Sequence, residues 1–192
     1  MPVFIDDFDY RRTINLLYIA NCTERFDMYN LRAKDIYEMQ RSETLVEIVA
    51  YCLMPNHFHI AVKSKTNLES DPGISKFIQK FCTGYTMYFN KKYDHSGTIW
   101  EGSYHDKFSD QETIYMQTLI DYIHLNPYAI ITPNLTKDER RLHRKEAIEY
   151  SKKYEYSSFK DYLCEVKPHK SRKQKAIISE TEFEKWKNCL LC

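Results

Sequence analysis

Glycine is scarce in this chain, at 4 of 192 residues, and no run approaches the ~18 uninterrupted apolar residues of a membrane-spanning helix. The first absence argues against collagen-like repeats and the second against a transmembrane segment. An excess of charge is missing too: 28 Lys and Arg face 27 Asp and Glu for a formal net charge of +1, so net charge alone gives no reason to expect nucleic acid. The opening residues, MPVFIDDFDYRR, are acidic where a secretory signal is basic and then apolar, which predicts a cytoplasmic protein. The six cysteines, at positions 22, 52, 82, 164, 189 and 192, are too scattered to predict a disulfide framework. Cys189 and Cys192 have the spacing of half a zinc site without the other half, and read as free thiols. Internal repeats and low-complexity tracts are also lacking.

What the chain does have is an ordinary globular composition, 43% hydrophobic and 29% charged. Its length predicts one compact domain over residues 1–133 and a basic helical extension over 134–192. From residue 137 onward 15 Lys and Arg stand against 10 Asp and Glu. Aromatic residues reach 15%, including 16 Tyr, which suits base stacking and suits a core of Tyr and Phe equally well.

Periodicity predicts the elements. From Asp9 to Asn21, Tyr10, Ile14 and Leu17 share one face behind an acidic first turn, the pattern of an amphipathic helix. Residues 22–43 are charged and poorly periodic. Thr44–Cys52 is rich in β-branched residues, LMPN supplies a turn and His57–Val62 alternates, so the pair reads as a β-hairpin. After the loop KTNLESDPG, the spacing of Phe77, Ile78, Phe81, Tyr85 and Tyr88 predicts a helix from Ile74 to Lys92. The turn DHSG leads to a strand-like start at Thr98–Trp100. Asp110 reads as the N-cap of a helix that Pro127 ends, Lys137–Lys153 reads as one charged helix, and YEYSSFKDYL precedes a Lys-rich tail.

Three features carry chemistry. In PNHFHIAV, strand alternation puts His57 and His59 on one face and Phe58, Ile60 and Val62 on the other. Two imidazoles side by side are half of a metal site, or else two polar residues on a solvated face. In DYIHLNP, Met116, Leu119, Ile120 and Ile123 form a core stripe, while Tyr115, Tyr122 and Asn126 line one flank. Tyr122 is then either a nucleophile one turn from Asn126 or a tyrosine packed beside the core. His124, about 200° around a regular helix from Tyr122, is kept out of that site. Basic and aromatic residues interleave from Lys76 to Phe108. With the core positions set aside, Lys91, Lys92, Tyr93, Trp100, Tyr104, His105 and Lys107 remain for gripping phosphates and stacking bases.

Four segments, AYCLMPNHFHIAVK, GISKFIQKFCTGYTMYFNKKYDHSGTIWEGSYHDKF, LIDYIHLNPYAI and YEYSSFKDYL, occur in an order that gives the chain a family likeness. It resembles the single-tyrosine HUH transposases, in the branch of the REP-associated tyrosine transposases, over residues 3–20 and 46–164. The resemblance implies an α+β, ferredoxin-like βαββαβ fold with the tyrosine helix laid across the sheet. It also implies Tyr122 as the nucleophile, His57, His59 and Asn126 as ligands of Mg²⁺ or Mn²⁺, and a homodimer acting on single-stranded DNA beside hairpins. Such enzymes cut and rejoin DNA through a 5′-phosphotyrosine linkage, one phosphodiester replacing another without ATP.

The implied chemistry is physically coherent, because a phenol is a weak nucleophile at neutral pH and a divalent ion at the phosphate supplies charge stabilisation. Imidazole donors favour Mn²⁺ over Mg²⁺. Only MPVFIDDF precedes the first helix, too few residues for the central strand that the resemblance puts there. That strand therefore reads as missing, or as replaced by another segment or a partner chain. A hairpin-binding protein that has lost catalysis is the alternative function. An RNA-binding module would show aromatics of the RNP type on two strands, and the sequence has none.

Overall fold

A computed structural model describes residues 2–25, 43–66, 72–101, 112–163, 177–179 and 181. Its elements are α1 (Asp7–Ala20), β1 (Glu47–Met54), β2 (His57–Lys63), α2 (Pro72–Tyr93), α3 (Glu112–Leu125), α4 (Tyr128–Ile131), α5 (Lys137–Leu142), α6 (Arg144–Lys153) and α7 (Phe159–Leu163). The architecture is mixed α+β, and among the described residues the sheet consists of β1 and β2, antiparallel. No helix among those residues is long and apolar enough to cross a membrane.

Helix α1 begins at Asp7 because Asp6 caps it. Asp6 Oδ1 accepts the Asp9 N–H at 3.1 Å and Asp9 Oδ2 accepts the Asp6 N–H at 3.1 Å, a reciprocal box that satisfies two otherwise orphaned donors. Asp9 is fully buried, and its carboxylate also accepts from Ile5 N–H at 2.7 Å, Tyr93 Oη at 2.7 Å, Tyr88 Oη at 2.9 Å and Lys92 Nζ at 2.8 Å. Burial works against the charge, but Lys92, the Ile5 amide and the two phenols outweigh it and hold Asp9 below the ordinary carboxylate range. One carboxylate thus ties α1 to the last turns of α2.

Strand β1 is buried from Ile48 to Met54, and β2 is only partly covered. The turn contains only Pro55 and Asn56, since pairing runs on to Met54 opposite His57, and the Leu53 and Met54 of the expected LMPN turn belong to the strand. Leu53 faces Phe58 and Cys52 faces His59 across the ladder. The pleat sends Phe58 onto Phe81 of α2 and onto Trp100, with ring centroids 5.1 and 5.0 Å away, and leaves the histidines on the other face.

The far edge of β1 is taken by the C-terminal part of the chain. Leu53 N–H donates to Tyr156 O at 2.9 Å, Ser158 N–H donates to Tyr51 O at 3.0 Å, and Cys52 and Ser157 form a β-bridge. Further along the same strand Ser179 N–H donates to Ile48 O at 3.0 Å. Phe159, Tyr162 and Ile178 join the core made by the first helices and the hairpin. This added segment lies beside β1, and among the described residues no strand pairs with the outer edge of β2, where the resemblance puts the first strand.

Three further expectations are corrected. Thr98–Trp100 is not a strand: Thr98 Oγ1 accepts the Trp100 N–H at 3.3 Å and donates to Trp100 O at 3.0 Å, folding the segment on itself. The Lys137–Lys153 helix is two helices, broken at His143 (φ −99°, ψ 36°), whose N–H turns back to Arg140 O. The loop expected over KTNLESDPG gives up Pro72 and Gly73 to α2, with Pro at the first helical position, where its missing N–H costs nothing. Pro127 does end α3, and it also caps α4. Asp110, residues 26–42, Cys164, Cys189 and Cys192 lie outside the described residues.

Removing the Asp9 carboxylate uncouples α1 from α2. Asp9→Ala is expected to lower the unfolding free energy in urea by about 3 kcal/mol, the scale for leaving a buried ion pair half made. A carboxylate depressed in the folded state stabilises fully above its unfolded pKa, and that contribution disappears as pH falls through the folded value. Wild-type stability should therefore drop below about pH 4 more steeply than that of Asp9→Asn. Equal urea midpoints for wild type and Asp9→Ala would contradict the role.

Candidate functional site

Strand alternation delivers His57 and His59 to one face, where their Nε2 atoms stand 3.2 Å apart with the rings nearly perpendicular. His57 Nδ1–H donates to Asn56 Oδ1 at 2.8 Å, which leaves the lone pair on His57 Nε2. Asn56 is a residue that the sequence reading passed over. Its signal is its place directly before the first histidine, in the turn, where a carboxamide can orient a ligating ring. Burial pushes the His57 imidazole below its usual range. Burial first, then the charges of His57 and Lys137, pushes His59 down to about 4. Both rings are neutral at neutral pH, the state in which imidazole binds a metal.

Helix α3 brings a phenol to the same place. The Tyr122 ring meets His59 edge-on, with centroids 5.3 Å apart, and is 38% exposed, so it is not part of the core. Lys137, the first residue of α5, holds its Nζ 5.2 Å from the centroid of the Tyr122 ring. Local periodicity could not have selected it, because the contact depends on how α4 and the following turn bring α5 back.

Asn126 directly follows α3, one helical turn beyond Tyr122, and its carboxamide nitrogen is buried without a hydrogen-bond partner. The two ends of a carboxamide exchange by rotation, so an unmet buried group here fits an oxygen donor as well. Among the described residues no third His, Cys, Asp or Glu joins the two histidines to make a metal-binding group. A third protein ligand would then have to be of another type, and a carboxamide is such a type. Two neutral nitrogens at this spacing suit a first-row divalent ion more than Mg²⁺, which prefers oxygen.

His124 turns away from this face, as the helical step requires. It is fully buried against Phe159 and Tyr162, and burial pushes it down to about 3. The core stripe of α3 is deepest at Ile120 and Ile123, with Met116 and Leu119 partly covered.

Of the residues selected for DNA, Lys92, Tyr93 and Trp100 have partners away from the histidines. Lys91 is exposed in the last turn of α2. Lys92 is held by Asp6 at 2.7 Å and Asp9 at 2.8 Å, and Tyr93 donates to Asp9. Trp100 donates from Nε1 to Cys82 O at 3.3 Å and packs on Phe58, on the face of the hairpin opposite the histidines. Tyr104, His105 and Lys107 lie outside the described residues.

In the metal-free protein, His59 is expected to stay neutral down to about pH 4 and His124 to about pH 3, as read by nitrogen NMR of the imidazoles. Protonation then favours the unfolded chain, where imidazole titrates near ~6.5. These two rings therefore lower stability progressively as pH falls from ~6.5 towards their folded values. A His59 ring titrating near ~6.5 in the folded protein would contradict the geometry.

No curated protein and no solved structure matches the chain. A family model does: the one described as transposase, IS200-like, matches residues 19–126, more than half of the chain. That stretch contains the hairpin with its paired imidazoles and runs through α3 to Asn126. On this match the chain belongs to the IS200-like transposases, a family of DNA-cleaving enzymes of recombination.

Proposed function

We propose that this transposase cuts and rejoins single-stranded DNA beside hairpins, with Tyr122 as nucleophile and His57, His59 and Asn126 as ligands of Mn²⁺ or Mg²⁺. The observation that carries the reading is the meeting of an exposed phenol with a neutral imidazole whose Nε2 faces a second one. When bound, the ion would polarise the scissile phosphate, the assistance a phenol needs at neutral pH.

The chain's own contribution is positional. Strand β2 presents both nitrogens on one face, Asn56 orients the His57 ring, and α3 holds the phenol beside them. In the proposed step Tyr122 Oη attacks phosphorus and its proton passes to solvent. The bond from phosphorus to the 3′ oxygen breaks, and that oxygen takes up a proton. The strand is left joined to the enzyme by a 5′-phosphotyrosine bond, and attack by another 3′-OH reverses the step and rejoins the DNA. Lys137 puts positive charge beside Tyr122, where a phosphate would arrive.

We further assign a ferredoxin-like order to the sheet and a homodimer to the active form, both on the family likeness, and a cytoplasmic location. We assign DNA contacts to Lys91, Tyr104, His105 and Lys107 on the interleaving of basic and aromatic residues, whereas Lys92 and Tyr93, engaged by Asp6 and Asp9, and Trp100, packed on Phe58, serve the fold. The expected boundary at residue 133 does not separate two units, because Phe159, Tyr162 and Ile178 beyond it join the core of the residues before it.

Incubation of the protein with a labelled single-stranded hairpin oligonucleotide and Mn²⁺ should give a denaturation-resistant adduct. Tyr122→Phe should abolish it and leave hairpin affinity within about twofold. An adduct that persists in this variant would move the chemistry to Tyr115, on the same flank of α3. A wild-type chain that binds the hairpin without any adduct would identify the non-catalytic alternative.

The paired histidines have a separate expectation. His57→Ala combined with His59→Ala should remove calorimetric Mn²⁺ binding and cleavage together. The melting temperature should change little, because neither ring is part of the core. Mn²⁺ binding that survives in the double variant would overturn the ligand assignment.

A further inference from the structure

Two residues along α3 from Tyr122, on the opposite side of the helix, His124 Nε2 lies 2.7 Å from Ser158 Oγ, both residues fully buried. Ser158 belongs to the segment that closes the far edge of β1, beyond the stretch matched by the family model. Its Oγ also accepts the Tyr51 N–H at 2.9 Å and lies 3.2 Å from Tyr51 O.

The tautomer follows from the partners. His124 Nδ1 is buried with no hydrogen-bond partner, so a proton there would be a wasted donor. With the proton on Nε2, the imidazole donates to Ser158 Oγ, the hydroxyl donates to Tyr51 O, and only an acceptor lone pair is left over, the cheaper omission. A directed series of hydrogen bonds therefore runs from α3 through Ser158 to β1. It arrives next to Cys52, which pairs with His59 on one side and with Ser157 on the other. The flank of α3 is fastened independently by Asp121, whose Oδ2 lies 2.8 Å from Arg144 of α6.

We propose that His124 and Ser158 are positioning residues that together set Tyr122 over His59, so that residues 156–158 belong to the machinery that aligns the nucleophile. The inference rests on the reading of Tyr122 as nucleophile. Loss of Ser158 leaves the His124 Nε2–H buried and unmet, and loss of His124 cuts α3 off from Ser158, which keeps its bonds to Tyr51; in either case α3 relaxes on the sheet while the DNA-facing surface stays in place. Misplacement on the order of 1 Å costs about 10²-fold in rate.

The test is a double-mutant cycle on the full chain. It measures the single-turnover rate of adduct formation and the half-saturating concentration of hairpin oligonucleotide with Mn²⁺, together with amide hydrogen exchange of α3 without DNA. His124→Leu and Ser158→Ala should each slow the saturated rate about 10²-fold, with half-saturation moved less than about twofold. The double variant should be no slower than the slower single one, because the two act as a unit. His124→Gln places a carboxamide donor near the position of Nε2 and should recover most of the rate. Exchange of α3 should rise in the two truncating variants and stay near wild type in His124→Gln.

Losses that multiply in the double variant, losses confined to half-saturation, or a His124→Gln as slow as His124→Leu would each overturn the pairing. If His124→Leu fails to fold, Ser158→Ala against His124→Gln and wild type gives the same decision. A wild-type chain that forms no adduct defeats the nucleophile assignment instead. In that case unchanged α3 exchange in Ser158→Ala would overturn the pairing, and raised exchange would uphold it.

Discussion

Strand β1 has both edges engaged, and the geometry of the site depends on it. One edge is laddered to β2; the other takes main-chain hydrogen bonds from residues that lie some hundred positions further on, with Tyr51 and Ser158 separated by 107 residues. Backbone amides and carbonyls in a buried strand must find protein partners, and those bonds tolerate little change in distance or direction. A strand bound on both sides cannot slide. The histidines on β2 and the segment that meets His124 are consequently referred to one fixed row of atoms, and Tyr122 is placed relative to His59 by the same row.

The two faces of the hairpin divide the work. Phe58 and its neighbours face Phe81, Trp100 and the aromatic wall of α2, where apolar packing supplies stability. The other face carries the imidazoles and the phenol. Helix α2 is in turn pinned to α1 through Asp9, which collects donors from Ile5, Asp6, Tyr88, Lys92 and Tyr93. Asp9 and His124 show two ways of accommodating a buried ionisable group: a carboxylate gathers several donors, and an imidazole loses its charge to burial.

Local signals made much of this legible. The alternation in HFH separates the histidines from Phe58, because a strand has a period of two whatever it packs against. The 3.6-residue period put Tyr122 and His124 on different sides of α3, and Pro127 marked its end. What stayed hidden was non-local. Nothing in YEYSSFKDYL announces that Ser157 will bridge Cys52, since the pairing is decided by an edge made far away in sequence. The break at His143 carries no Gly or Pro, and Lys92 looked available for DNA because its partners, Asp6 and Asp9, lie at the start of α1, far away in sequence. Thr98–Trp100 turns back on the Thr98 hydroxyl, a local bond that a β-propensity count does not contain.

The ladder between β1 and β2 changes register once, between Ile48 and Ala50. Pairing in a strand has parity: displacement by a single residue exchanges the two faces, which here would turn both imidazoles inward and Phe58 outward. No gradual drift of the hairpin can therefore adjust the spacing of the histidines; only even steps preserve them. The irregularity lies at the end of the ladder remote from Met54 and His57, with the Cys52–His59 rung in between. An odd residue has been absorbed where it alters only the outer pairs, and the phase of the histidine end is insulated from it.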